Sequence, residues 1–219
     1  FRFRVRFQAA RARQHGGGWN DDLVDQEFGA SKLTVIPALE VTTNMGHVIA
    51  IGLRSHAPGI HKIDVLREVV DEVGGLLISA HPLRNFFNAH PFNDNLLYRE
   101  WSSQPNNVGE ASEHDLFSFV DLVEVTNGAN SERENRFTSD IANYLGINGT
   151  GGSDSHSVQG IGKSLTVFEN QITDQASLIS ELKAGKFYPA EEYVLYTPNF
   201  KSYAAQDWYK QHEGGVTLR

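Results

Sequence analysis

Cysteine is absent from the 219 residues. Disulfides and thiolate metal sites are therefore excluded, and any metal ion must be held by imidazoles and carboxylates. No apolar run is long enough to span a bilayer. No signal peptide is visible, so the chain reads as cytoplasmic. Without a secretory route, the sequon Asn148-Gly149-Thr150 carries no weight. No Walker lysine follows the glycines at 149, 151 and 152, and the dinucleotide spacing is missing, which sets both nucleotide loops aside. No Ser/His/Asp or Cys/His nucleophile arrangement is indicated either. An excess of positive charge is also lacking. The net charge of −8 argues against broad binding to a nucleic-acid backbone. It leaves room for a local basic pocket that takes a small phosphorylated molecule.

What is present fits one α/β domain or two small ones, with enough chain for a sizeable core. The first 13 residues hold five arginines and no acid. Alternating Phe and Arg from Phe1 to Phe7 is strand-like. Residues 1–32 are set apart as an atypical basic segment, a solvated edge strand or an arm, in a chain that reads as a fragment or as carrying a segment of different origin. The main domain is placed at 33–196, with a tail at 197–219.

Leu33–Val41 is apolar and β-branched, a buried strand with Glu40 at its end. Pro37 argues for an edge position or a bulge there. Met45-Gly46 is turn-like, and His47 opens a second strand running to Leu53. Ile63, Leu66, Val70 and Val73 recur at helical spacing until Gly74-Gly75. Leu76–Ser79 is a short strand, followed at once by Ala80-His81-Pro82. Residues 85–114 are polar and read as a long loop with a short helix, a functional insertion. Leu122–Val125 is a strand. Ser131 and Glu134 form a capping box for a helix that Gly146 ends. Leu165–Phe168 is a strand, and Thr173 caps a last helix stopped by Gly185. Alternating strands and helices predict a mostly parallel sheet with its site at the carboxyl ends of the strands. His47 starts its strand, so that strand is expected to run the other way.

Five residues cluster on those strand ends: Glu40, His47, His81, Asp154 and His156. Imidazole with carboxylate suits Zn, Mn or Fe, and a carboxylate that bridges two metals suits phosphoester hydrolysis. Each has an ordinary alternative: a surface acid, a turn residue, a loop histidine, or a helix cap for Asp154. Together they point to a metal site. Arg84, three residues after His81, is either a clamp for phosphate oxygens or a surface arginine. Asn127 is either a turn residue or a substrate contact. His56, His61, His90 and His114 lack such placement; His90 is the best of them for a substrate contact. His15 is a further ligand candidate, and His212 reads as a surface residue.

The stretches Ile36–Val41 with Gly46-His47-Val48, Ser79–Pro82, Val123–Asn127, and Gly152–His156 with Ile161-Gly162 resemble the PHP (polymerase and histidinol phosphatase) superfamily in order and rough spacing. The resemblance covers about residues 33–190. It implies a distorted (β/α)7 barrel, incomplete at its N-terminus, with two or three divalent metal ions (Zn, Mn or Fe). It implies metal ligands at Glu40, His47, His81, Asp154 and His156. It also implies chemistry carried by Glu40, Asp154 and His156 and substrate contacts from Arg84 and Asn127. The substrate would be a small phosphorylated molecule. The family's opening His-x-His and Asp-His motifs are missing: residues 1–32 contain only His15, and Asp21-Asp22 lacks its histidine. A catalytically silent PHP-like module or fragment is therefore one alternative. An amidohydrolase-like metal hydrolase is the other. A barrel without its first strand would expose an edge and favour oligomers.

Overall fold

The computed structural model describes residues 34–156 and 160–191, together with the backbone of two short strands at 3–5 and 201–202. The strands are β1 (Phe3–Val5), β2 (Ala38–Thr43), β3 (Gly46–Ile51), β4 (Leu76–Ser79), β5 (Leu122–Asn127), β6 (Gly149–Gly152), β7 (Ser164–Phe168), β8 (Phe187–Glu191) and β9 (Lys201–Ser202). The helices are α1 (Ile63–Glu72), α2 (Val108–Ser112), α3 (Leu116–Phe119), α4 (Glu132–Leu145) and α5 (Gln175–Ala184). Among the described residues no helix is long and apolar enough to cross a membrane.

The five-stranded sheet has the order β2-β3-β4-β5-β6. β2 pairs antiparallel with β3, and β3 antiparallel with β4, whereas β4, β5 and β6 are parallel neighbours. Its central strands β3, β4 and β5 are buried on both faces, and the period of two deals their side chains to two cores. Val48, Ala50, Leu77, Val123 and Val125 pack with Leu66 and Val70 of α1 and Phe137 and Ile141 of α4. Ile49, Ile51, Leu76, Ile78 and Leu122 pack on the other side, with Phe168, Leu178, Leu182 and Phe187. The second sheet is built on the antiparallel β7–β8 pair, with the short β1 and β9 on its outer edges.

Among the described residues there is no closed barrel, and the expected (β/α)7 architecture is overturned. A barrel of that kind needs every strand parallel, each joined to the next by a helix. Here the two-residue turn at Asn44-Met45 joins β2 to β3 as a hairpin, leaving no room for a crossover helix. β7 and β8 also run antiparallel and belong to a second sheet, so the described strands do not wrap the first sheet shut. The reversed direction expected for the His47 strand is what β3 shows. Pro37 directly precedes β2, the edge strand of its sheet, where a missing N–H breaks no ladder bond.

Helix ends follow local chemistry. The Ser131 side chain accepts from Glu134 N while the Glu134 carboxylate takes the Ser131 N–H. Gly146 and Gly185 end α4 and α5 with φ of 69° and 66°, left-handed values that a Cβ disfavours. The last cap is Asp174 rather than Thr173: its carboxylate accepts from Ser177 N at 2.7 Å. Residues 85–114 hold the short helix expected there, α2. They bury Phe86, Leu97, Tyr98 and Ala111 against the first core. The domain boundaries expected near 32 and 197 fall outside the described residues.

Candidate metal centre

The hairpin places the first two site residues. In its register Glu40 faces Ile49 and His47 faces Thr42, so Glu40 and His47 are diagonal neighbours on one face. The turn between them is held by Thr43, whose Oγ1 donates to Gly46 O at 2.8 Å and accepts from Met45 N at 3.0 Å. Asn44 Oδ1 accepts from Ile63 N at 2.9 Å, fastening the turn to the start of α1. Glu40 lies in mid-strand rather than at a strand end, because β2 continues to Thr43. β3 runs antiparallel to β4, so the beginning of one lies beside the end of the other. His81 comes two residues after β4, with φ of 32°.

These three side chains converge. Glu40 Oε1 is 2.9 Å from His47 Nδ1 and 3.2 Å from His81 Nε2, and the two ring nitrogens are 3.4 Å apart. One ligand atom from each residue lies within 4.8 Å of the others. His47 and His81 hold the Glu40 carboxyl well below the usual carboxylate range, against the opposing effect of burial. Two imidazoles and one carboxylate, part-buried and facing one another, form a donor set suited to a divalent transition metal. The Glu/His cluster can therefore hold a metal ion.

Behind His81 stands a carboxylate of the Val123–Asn127 stretch that is not among the five expected ligands. Glu124 is buried, accepts from His81 N at 2.9 Å and accepts from Asn127 Nδ2 at 2.9 Å. Burial pushes its pKa up. The backbone leaves it room: a Cβ on Gly152 would come within 2.0 Å of Glu124 Oε1. The available signal was an acid set among Leu122, Val123 and Val125, all buried, where a carboxylate stays only if it is hydrogen-bonded.

Asp154 and His156 are arranged differently. Asp154 Oδ2 lies 3.8 Å from His81 Nε2 and is ion-paired with Arg84 Nη2. The same Nη2 donates to Asn127 Oδ1 at 2.9 Å, and Arg84 Nε donates to Asn130 Oδ1 at 3.3 Å. Asn127 is fixed in turn, since its N–H donates to Asn135 Oδ1 at 3.1 Å. Asp154 has φ of 42°. His156 is 68% exposed, with Nδ1 3.1 Å from the Asp154 backbone oxygen. Of the five expected ligands, the structure gathers Glu40, His47 and His81, sets Asp154 beside them, and leaves His156 at the surface.

An open cleft of about 590 Å³ reaches this cluster and is lined by Met45, His47, Ser79, His81, Arg84 and Asn95, among others. Asn95 belongs to the 85–114 segment and ties it to the site: its amide donates to Pro82 O at 2.8 Å and Arg84 O at 2.9 Å. Ser79 Oγ is buried without a hydrogen-bond partner among the described residues. His56, His61 and His90 are exposed. His114 is half-buried instead: it accepts from Leu116 N at 3.1 Å and stacks on Trp101 at 5.7 Å. His15, Asp21 and His212 fall outside the described residues.

Residues 132–187 match the family model described as PHP-associated. The match runs from α4 to the first residue of β8 and includes Asp154 and His156, but not Glu40, His47 or His81. No curated protein matches the chain. Among solved structures, the chain is similar to PsfC from Pseudomonas syringae PB-5123, at 18% identity and a TM-score of 0.46. That alignment covers 68% of this chain and 57% of the other, so the chain spans little more than half of that protein's length.

Proposed function

We propose that the chain is a metal-dependent phosphoester hydrolase whose metal centre is built on Glu40, His47 and His81. The observation that carries this reading is the convergence of those three side chains at one cleft that Arg84 also lines. The PHP-associated match at 132–187 supports it from an independent stretch of sequence. A divalent ion held by Glu40, His47 and His81 would supply Lewis-acid chemistry for phosphoester hydrolysis there. The chain's own residues do the rest. Glu40 presents a carboxylate that stays ionised across the working pH range, because His47 and His81 favour its charged form. Glu124 takes the His81 backbone N–H and so fixes where that ring stands. Arg84, steadied by Asn127 and Asn130, offers a guanidinium to the oxygens of a phosphorylated substrate. The 85–114 segment, anchored through Asn95, shapes the cleft wall and with it the size of ester admitted.

The test is hydrolysis of mono- and bis-(p-nitrophenyl) phosphate by the full chain loaded with Mn²⁺ or Zn²⁺, beside Glu40→Gln and a matched anilide. Turnover of a phosphoester that the variant loses supports the proposal. Turnover of the anilide alone would assign the amidohydrolase-like reading, and no turnover of any substrate would assign the silent module.

A further inference from the structure

Asp154 has the chemistry of a metal ligand and stands next to the Glu40–His47–His81 group, yet it is already engaged. Its oxygen nearest that group, Oδ2 at 3.8 Å from His81 Nε2, is the one that Arg84 Nη2 takes. The arginine is not a loose surface side chain. It is 30% exposed, and two asparagines hold its Nε and Nη2. The imidazole that would complete a second site is exposed, with His156 Nδ1 3.1 Å from the Asp154 backbone oxygen and 3.7 Å from Asp154 Oδ1. A second dication would have to displace a guanidinium from Asp154, or sit beside it against like-charge repulsion. Two or three metals therefore do not fit these residues, whereas one does.

From this geometry we infer that the centre is mononuclear, and that the Arg84 guanidinium stands beside Asp154 as a fixed positive charge in the place of a second cation. Asp154 then acts as a positioning residue, aiming Arg84 at the cleft. Among the described residues Arg84 Nη1 makes no hydrogen bond, which leaves a donor for an anionic ligand. With one divalent ion, the charges of Glu40, Asp154 and Arg84 leave a single net positive charge. That suits a phosphate group bound between the ion and the guanidinium.

This inference rests on the metal reading above, and counting bound metal separates the two. The full chain, stripped with a chelator, would be titrated with Mn²⁺ while free Mn²⁺ is read by electron paramagnetic resonance. One equivalent is expected, lost in Glu40→Gln and kept in Asp154→Asn with affinity changed by no more than about threefold. Arg84→Gln should gain a second, weaker equivalent that Arg84→Gln/Asp154→Asn lacks. Two equivalents in the unaltered chain, loss of the single one in Asp154→Asn, or no gain in Arg84→Gln would overturn the inference and leave the metal reading standing. No Mn²⁺ bound at all would overturn the metal reading itself.

Discussion

Two carboxylates stand within reach of the same imidazole and meet opposite fates. Glu40, on the hairpin, faces two ring nitrogens and, among the described residues, no fixed cation. Asp154, after β6, is closed off by an arginine. Both are part-buried, and both were equally good ligand candidates by residue type. What separates them is the neighbour that the fold supplies. Glu40 meets the imidazoles of His47 and His81, whereas Asp154 meets the Arg84 guanidinium that the turn after β4 carries across to it. A site is therefore defined less by which ligand types are present than by which of them remain uncommitted.

The largest expected effect sharpens that contrast. His81→Asn should weaken Mn²⁺ binding by at least about 100-fold, the upper end of what outer partners alone command. His156→Asn should change it by about threefold or less. Equal losses from the two variants, in the same titration, would erase the distinction between the halves. Next comes the group behind the cluster. Glu124→Gln keeps the shape but weakens the acceptor for His81 N–H, and metal affinity should fall by about 10- to 100-fold. The far-ultraviolet circular dichroism should stay unchanged.

A smaller effect tests the space between the halves. Gly152→Ala would drive a methyl group into the Glu124 carboxylate and should cost about 1–3 kcal/mol in chemical denaturation. It should also weaken the metal, whereas Gly146→Ala, with no neighbour within 4 Å of its added Cβ, should not. The smallest effect lies outside both halves. Burial holds the His114 imidazole below its ordinary range, so the unfolded chain binds that proton at higher pH than the folded one. Stability should be intact above about pH 6.5 and decline as pH falls through that value. The slope should stay well below about 1.4 kcal/mol per pH unit, since the ring is half exposed and screened. His114→Phe should flatten it in thermal melts taken from pH 7.5 to 5.5.

Much of the secondary structure was legible because local chemistry dictates it. Apolar runs marked β4, β5 and β7, Ser131 with Glu134 announced α4, and glycines closed α4 and α5. Pro37 and the position of His47 pointed correctly to an edge strand and a reversed strand. The open sheet was not legible, because closure depends on which strands pair, and the same alternation of elements serves a barrel. Glu124 was hidden by its neighbours: an acid in an apolar strand reads as part of the strand until its donors are seen. The Arg84–Asp154 pair spans 70 residues of sequence, and no local pattern could announce it. Thr173 stood in for Asp174 because adjacent cap residues compete, and only backbone geometry chooses between them.

The stack of Trp101 on His114 gives the molecule an optical window. An imidazolium against an indole quenches its emission, while a neutral ring does so far less. In a Trp19→Phe/Trp208→Phe background, Trp101 becomes the sole fluorophore of its kind. Its brightness should follow the protonation of His114, and its wavelength should follow the packing of the segment that Asn95 ties to the cleft. One indole thus reports, without any added label, when the wall of the cleft loosens.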